Sequence, residues 1–216
     1  MELLRPENIN YNNAFIASIS SDFEYTDPIF NVKIQKRITT VNIVTNGTVV
    51  QFPNNPSEDQ IINFAGMQSL MKCCVDNAEH IKDQLLSLLQ KIMPPSNEEE
   101  RIQQMKMDFM SLKKWFMDDI RSSKIYKKFT KYNSTKKLKP FSKIFNDFIL
   151  DRNIYTHGQL CFKYPEYNFI IDYIKTPEQI QQYAYVKIEI IESYNLNYRE
   201  IKEVISEYQI IHQESK

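Results

Sequence analysis

One short segment of the chain brings together side chains that could do chemistry. This segment, Asp151-Arg152-Asn153-Ile154-Tyr155-Thr156-His157-Gly158, is called the Arg–His segment below. Four residues separate Arg152 from His157, and Asn153 directly follows the arginine. A histidine exchanges protons near neutral pH, which suits general acid–base catalysis. A guanidinium offers a fixed fork of donors to an anion such as phosphate. The same residues also fit a simple helix C-cap, with Asn153 in the left-handed turn and His157 incidental.

The Arg–His segment resembles the motif of the HEPN superfamily. These small helical-bundle proteins carry an arginine, a polar residue that is often asparagine, a short spacer and a histidine at a helix end. The match here is Arg152-Asn153-Ile154-Tyr155-Thr156-His157, and Gly158 is also common at that place. The resemblance implies a metal-independent endoribonuclease that cleaves RNA by attack of the ribose 2′-hydroxyl, without a cofactor. It implies His157 as acid/base, Arg152 as phosphate clamp and Asn153 as an orienting group.

The resemblance also suggests partners. Active members of the family usually form homodimers in which two motifs share a cleft, and two-fold symmetry would supply two copies of each side chain here. A toxin or antiviral-defence effector is the suggested role, with an antitoxin or another defence-system protein as candidate partner. Many members lack activity, so the alternative is a non-catalytic interaction or RNA-binding module that acts as a scaffold or regulatory partner. In that alternative, the central helix docks a partner and the Arg–His segment is structural.

A lysine-rich stretch precedes the Arg–His segment. Between Lys113 and Lys143 there are ten lysines and Arg121, against Asp118 and Asp119. Lysines interleaved with aromatic residues are typical of single-stranded RNA binding, where lysines contact phosphates and rings stack on bases. The alternative is that this stretch is a solvated lysine loop that does not bind RNA. The predicted RNA-binding lysines are Lys124, Lys127, Lys128, Lys131, Lys136 and Lys137, with Tyr126, Phe129 and Tyr132 as the stacking aromatics.

Two long helices are predicted in the middle of the chain. Ser57 and Gln60 form a capping box, and Pro94-Pro95 ends the first helix. A cap at Ser96 begins the second helix, which continues through Ile120 and packs antiparallel to the first. The first helix carries a continuous apolar seam: Phe64, Met67, Met71, Cys74, Ala78, Ile81, Leu85, Leu88 and Ile92.

The remaining elements complete a mainly α fold. Shorter helices are predicted from near Pro140 to Arg152, from 178 to about 193 and from 197 to about 212. A β-hairpin is predicted over 28–53 around Asn46-Gly47, and a second small hairpin over 160–173. The sequence therefore predicts a bundle of about five helices with two β-hairpins. We divide it into an N-terminal extension, 1–56, and a HEPN-like helical bundle, 57–216.

Composition limits the class of protein further. Lys and Arg total 27, as do Asp and Glu, so the whole chain is not a general polyanion binder. No apolar run reaches the roughly 18 residues of a membrane span, and the N-terminus lacks a signal-peptide pattern. Cys73, Cys74 and the third cysteine form neither a disulfide framework nor a zinc motif. His80 and His212 are expected to be structural or surface residues. We expect a cytoplasmic protein without metal or membrane.

Overall fold

The computed structural model of the protein describes residues 3–12, 14–44, 52, 55–175 and 178–214, and within them the fold is mixed α/β. The predicted mainly α bundle is therefore wrong. The described residues form five α-helices: α1 (Glu58–Ile92), α2 (Glu98–Met105), α3 (Phe109–Ser122), α4 (Thr135–His157) and α5 (Ile188–Glu214). They also form six strands: β1 (Glu7–Asn8), β2 (Phe15–Thr26), β3 (Lys33–Val44), β4 (Gln159–Lys163), β5 (Asn168–Lys175) and β6 (Ile180–Tyr185).

All six strands belong to one sheet, in the order β1-β6-β5-β4-β3-β2. Neighbouring strands are antiparallel except β3 and β4, which are parallel, with Thr40 opposite Phe162. This parallel pair joins the two β regions that the sequence analysis treated as separate hairpins. The pairing has high sequence separation, so no local pattern reveals it. It makes part of the predicted N-terminal extension and the residues after the Arg–His segment members of the same sheet.

The N-terminal hairpin lies earlier in the chain than predicted. Strand β2, which the sequence analysis missed, pairs with β3 along its whole length, from Phe15 opposite Val44 to Thr26 opposite Lys33. The turn between them bends at Asp27, whose carboxylate accepts the amide N–H of Phe30 at 2.8 Å. The predicted Asn46-Gly47 turn lies outside the described residues. Serines and acidic residues in β2 weaken its apolar alternation, which explains the omission.

Strand β6 replaces the start of a predicted helix. Residues 180–185 contain Gln and Ala, which favour helices, yet they pair along β5 from Ile180 opposite Lys175 to Tyr185 opposite Ile170. The pairing buries Tyr183 and Ala184, so packing in the sheet overrides local propensity. The two predicted C-terminal helices are one helix, α5. Asn197 does not break it, because its side-chain amide donates to the carbonyl of Ser193 at 2.7 Å.

The structure confirms the first predicted helix, which is α1. Ser57 and Gln60 cap it reciprocally: the Gln60 Oε1 accepts the Ser57 amide at 2.8 Å, and the Ser57 Oγ accepts the Gln60 amide at 3.3 Å. The second predicted helix is broken into α2 and α3. Asp108 starts α3 as a new N-cap, with its carboxylate accepting the Ser111 amide at 2.7 Å. A side chain that satisfies the first amides of a helix makes such a restart stable.

The chain divides into two compact units. The helical unit comprises Met1–Leu4, Cys74–Arg152 and Glu192–Lys216; the sheet unit comprises Arg5–Cys73 and Asn153–Ile191. The core of the helical unit is rich in rings. Phe148 stacks on Tyr194 with centroids 4.2 Å apart, and Phe116 meets Tyr208 edge-on at 5.1 Å.

Within the sheet unit, apolar side chains are buried on both faces of strands β3, β4, β5 and β6. One face carries Phe64 of α1 against Phe162, with ring centroids 4.9 Å apart. The other face carries a cluster around buried Val41, Cys161, Ile170 and Tyr183, with Ile9, Tyr11, Ile16, Ile43 and Tyr185 packed against it. Close packing on both faces of these strands supports the residues that follow α4.

Candidate functional site

The Arg–His segment up to His157 lies inside α4 and not in a polar turn after a helix. The helix continues to His157, and the amide of Gly158 still donates to the carbonyl of Ile154 at 2.8 Å. The predicted helix end at Arg152 is therefore wrong, and so is the alternative in which Asn153 adopts a left-handed C-cap. No glycine or proline interrupts 151–157, so nothing in the segment stops the helix before Gly158.

Gly158 is required where α4 meets the sheet. A Cβ at this position would lie 2.3 Å from the Ile171 side chain and 2.6 Å from the Ile154 carbonyl oxygen. Only a residue without a side chain permits this close approach of the helix end to β5. The glycine thus fixes the point at which the helix carrying His157 ends.

Helical periodicity puts Asn153 and His157 on one side of α4. They are four residues apart, which places their Cβ atoms about 6 Å from each other. Both are exposed, whereas Tyr155 between them is buried. The exposed pair places an amide and an imidazole on adjacent turns of α4, in the part of the helix that belongs to the sheet unit. An imidazole at such a place can reach a ligand and exchange a proton with it.

Arg152, in the helical unit, has a different environment. Its guanidinium donates to a carboxylate oxygen of Glu79 on α1, and its side chain is only 20% exposed. The other Glu79 oxygen lies 4.0 Å from the Lys82 ammonium. The ion pair holds the guanidinium in one direction and partly neutralises it. An anionic ligand of Arg152 must share or displace the Glu79 carboxylate.

A shallow pocket of about 520 Å³ lies in the helical unit on the side of Glu79. Three carboxylates give it an acidic character. The sequence analysis placed Arg152 in a phosphate-binding site, and these acidic surroundings favour cations over phosphate on this side of the arginine. The pocket is lined by Asp76, Glu79, His80, Asp83, Gln84, Ser87 and Gln209.

The predicted RNA-binding lysines are all exposed. They lie on the connection between α3 and α4, which includes a 3-10 helix at Ile125–Lys128, and on the first turn of α4. Acidic neighbours reduce the local charge: Lys131 pairs with Glu200 at 2.6 Å. The exposed set is Lys124, Lys127, Lys128, Lys131, Lys136 and Lys137.

Two of the predicted stacking aromatics are not available to bases. Phe129 and Tyr132 are 2% and 6% exposed, and the Tyr132 ring packs 4.7 Å from that of Phe141. The prediction that they stack on RNA is wrong, because they anchor the lysine-bearing connection to the helical core. Tyr126 keeps a partly exposed ring. Of the three predicted stacking aromatics, Tyr126 is therefore the one whose ring could still reach a base.

A polar cluster in the sheet unit was missed by the sequence analysis. The Asp172 carboxylate accepts from the Gln181 side chain at 3.0 Å, and the same Gln181 amide donates to the Tyr183 hydroxyl at 2.8 Å. Burial raises the pKa of Asp172, and burial together with the nearby Asp172 charge raises the pKa of Tyr183 to about 12. An aspartate inside the apolar run Phe169–Tyr173 was the available signal.

The same unit contains an apolar groove of about 500 Å³ beside α1. Gly66 lies at its rim with no atom within 4 Å of where a Cβ would stand. Among the described residues, no group of three or more His, Cys, Asp or Glu side chains is arranged to hold a metal ion.

Two further findings concern the chain as a whole. In the described part of the chain, no helix combines the length and apolar character that crossing a membrane requires. Comparison with protein-family models, with curated proteins and with solved structures finds no match to this chain.

Proposed function

We propose that the protein is a metal-independent endoribonuclease of the HEPN type, with RNA as substrate and a second copy of the chain as partner. The observation that supports this most is the exposure of Asn153 and His157 on one side of α4. An exposed imidazole one helical turn from an amide is a usable acid/base group beside a hydrogen-bonding group. Arg152 directly precedes them in the same helix and supplies the positive charge that the reaction needs.

In the proposed reaction, His157 removes the proton from a ribose 2′-hydroxyl. The hydroxyl oxygen attacks the adjacent phosphorus, the bond to the 5′-oxygen of the next nucleotide breaks, and that oxygen takes a proton from the protonated His157 imidazole, directly or through water. Arg152 stabilises the additional negative charge on the phosphate oxygens as the attack proceeds. Asn153 donates from its amide to orient the phosphate. The products are a 2′,3′-cyclic phosphate and a 5′-hydroxyl, so atoms and charge balance without a co-reactant.

The Glu79 carboxylate gives this proposal a definite requirement. It occupies donors of the Arg152 guanidinium, so the phosphate must share the arginine with it. Substitution of Glu79 by Gln keeps a hydrogen-bond acceptor but removes the competing charge. On the proposed mechanism, Glu79→Gln lowers KM for RNA, since the guanidinium then binds the charged phosphate in preference to a neutral amide.

The exposed lysines support RNA binding away from the reacting phosphate. Lys136 and Arg152 lie 16 residues apart on α4, which corresponds to about 24 Å along the helix axis. The lysines therefore contact flanking phosphates and not the one at which cleavage occurs. Such contacts carry little sequence information and depend strongly on salt.

One observation favours a second candidate function. The Arg152–Glu79 ion pair ties α4 to α1 inside the helical unit, which is what a structural arginine does. In this second proposal the chain is a non-catalytic RNA-binding or interaction module. In that case Arg152→Ala would lower the free energy of unfolding, and neither the wild type nor the variant would cleave RNA.

The experiment that separates the two candidates is cleavage of total RNA by purified protein in excess EDTA. The expected result is cleavage by the wild type and a loss of about a hundred- to ten-thousand-fold in rate for His157→Ala. His212→Ala is the matched control, because it removes a histidine from the far end of α5. Arg101→Ala is the control for loss of an arginine that pairs with a glutamate, since Arg101 pairs with Glu98 on the exposed surface of α2.

Two outcomes count against the enzyme. Inhibition by EDTA would contradict the metal-independent mechanism. Equal rates for wild type and His157→Ala would remove His157 from the site and leave the interaction module as the better account. Circular dichroism of each variant establishes whether a loss of activity reflects a loss of fold.

A further inference from the structure

The apolar seam of α1, through which the alternative interaction module would dock a partner, is occupied within the chain. Every residue of the apolar seam from Phe64 to Leu88 is buried. A seam that already fills the core cannot also form an interface with a second copy. Self-association therefore requires a different surface, and the sheet unit provides one in strand β2.

Strand β2 is the outer strand of the described sheet and pairs with β3 alone. In an antiparallel pair, successive residues alternate between bonding the neighbour and pointing away from it. The bond from the Asp27 amide to the Val32 carbonyl, 2.8 Å, fixes the phase of that alternation. Odd-numbered residues of β2 bond to β3, and even-numbered residues direct their amides and carbonyls outward. The Thr26 amide agrees with this phase, because it reaches the Glu58 carboxylate at 3.4 Å.

Within the described residues, the outer edge of β2 from Phe15 to Ser21 lacks the usual protection against pairing. Natural edge strands carry charges, prolines or bulges that prevent association. The seven residues Phe15–Ser21 contain no charge and no proline, and the acidic residues Asp22 and Glu24 follow only afterwards. Phe15 is 62% exposed and Ile19 is 46% exposed, on the same face of the strand. This segment combines outward-directed backbone groups with exposed apolar side chains.

We propose that the protein forms a two-fold homodimer in which the Phe15–Ser21 segments of two copies pair antiparallel, centred on Ser18. With Ser18 at the centre, all residues of the uncharged segment Phe15–Ser21 are paired. It places Ser18 opposite its own counterpart and Ile16 opposite Ser20 of the other copy, so the outward backbone groups of even-numbered residues bond each other. Asp22 falls outside the paired segment, which avoids opposed carboxylates.

We assign this edge to a second copy because the uncharged segment Phe15–Ser21 can pair with itself without opposing like charges. A two-fold axis perpendicular to the sheet keeps each face on the same side, so the exposed Ile19 lies beside Ala17 of the other copy. Phe15 lies opposite Ser21 and diagonal to Ile19 of the other copy. This inference names a surface for the second copy included in the proposed function, and its observations concern only the sheet unit.

A cysteine cross-link tests the register. The chain carrying Cys73→Ser, which removes the exposed native thiol, receives either Ser18→Cys or Ser20→Cys. In the proposed register the two Cα atoms at position 18 are about 5.5 Å apart, within disulfide range. The two at position 20 are about 14 Å apart along the strands, beyond that range. Mild oxidation is expected to give a covalent dimer for Ser18→Cys and none for Ser20→Cys.

The oligomeric state tests the interface itself. Sedimentation equilibrium of the wild type at about 100 µM, where any Kd in the micromolar range gives mostly dimer, is expected to yield about twice the chain mass of 25.8 kDa. Phe15→Lys is expected to give a monomer, because a lysine on an edge strand disfavours its pairing with another strand. Phe30→Lys is the matched control, since Phe30 is exposed in the turn beyond β2 and its replacement leaves the dimer intact.

Three results would overturn the proposal. The first is a wild type that is monomeric at that concentration. The second is a Phe15→Lys variant that remains dimeric. The third is equal cross-linking at positions 18 and 20. None of them bears on whether the protein cleaves RNA, so the failure of one proposal is distinguishable from the failure of the other.

Discussion

Replacing either of two glycines by alanine adds the same methyl group in opposite environments. At Gly158, the new Cβ would meet the Ile171 side chain at 2.3 Å, the Ile154 carbonyl oxygen at 2.6 Å and the Asp172 carbonyl oxygen at 3.3 Å. Two of these three atoms are backbone. Ile171 is fully buried and β-branched, so its side chain has little freedom to turn away. We expect Gly158→Ala to lower the free energy of unfolding by about 3 kcal/mol, the upper end for overpacking.

At Gly66 the same change has the opposite sign. No atom lies within 4 Å of the new Cβ, and the position is inside α1, where alanine is favoured over glycine by about 1 kcal/mol. Gly66→Ala is therefore expected to stabilise the protein by up to that amount. Comparison of the two variants therefore separates the steric clash at the end of α4 from the general effect of replacing a glycine by alanine.

Urea unfolding followed by circular dichroism measures both effects. With a slope of about 2 kcal/mol per molar urea, the midpoint falls by about 1.5 M for Gly158→Ala and rises by about 0.5 M for Gly66→Ala. A Gly158→Ala variant as stable as wild type would refute the account of how α4 ends. It would show that the helix end and β5 are further apart than the structure places them.

Two other predictions concern charge. Because burial raises the pKa of Asp172, the stability contributed by its neutral form is present below about pH 4 and is lost as pH rises through the raised pKa. The melting temperature of Asp172→Asn should therefore rise relative to wild type between acid and neutral pH, and a constant difference would contradict this. Charge reversal at Lys127 and Lys128 should weaken RNA binding equally for all sequences and reduce the salt slope by somewhat under one unit for each phosphate that is no longer bound. Reversal of Lys33 and Lys36 on β3 is the control, and equal weakening there would make the effect nonspecific.

The sequence predicts the elements whose signals are local. The capping box at Ser57, the seam of α1 and the hairpin from Leu160 to Tyr173 follow from periodicity and capping, and the structure contains all three. These signals need only neighbouring residues to be read. The same local analysis finds the stripe of α4, though it starts the helix near Pro140, whereas the structure starts it at Thr135 and accommodates the proline inside it.

Elements that depend on distant partners were predicted wrongly. Strand β6 is rich in helix-favouring residues and exists because β5 lies beside it. The parallel pairing of β3 with β4 joins residues about 120 apart in sequence, so it cannot be predicted from local sequence patterns. The apolar periodicity continues from α2 into α3, so the sequence predicts one helix there. In the structure, Asp108 caps the start of α3 and divides that helix in two.

The candidate site likewise has features that the local sequence predicts and features that depend on distant residues. Residue types and spacing single out Arg152 and His157, and the structure places His157 on the surface of α4. The Glu79 partner of Arg152 is 73 residues away and could not be chosen among the many acidic residues of α1 from the sequence. The burial of Phe129 and Tyr132 is equally a tertiary result, because lysine-rich surroundings favour an exposed loop.

The most direct test of the ribonuclease proposal compares a short RNA with its fully 2′-O-methylated copy in excess EDTA. The two substrates carry the same bases and phosphates, and only the RNA has the attacking hydroxyl. The account predicts cleavage of the RNA alone, with products that end in 2′,3′-cyclic phosphate and 5′-hydroxyl groups, and no such products with His157→Ala. Cleavage of the methylated copy, or products with 5′-phosphate ends, would contradict it.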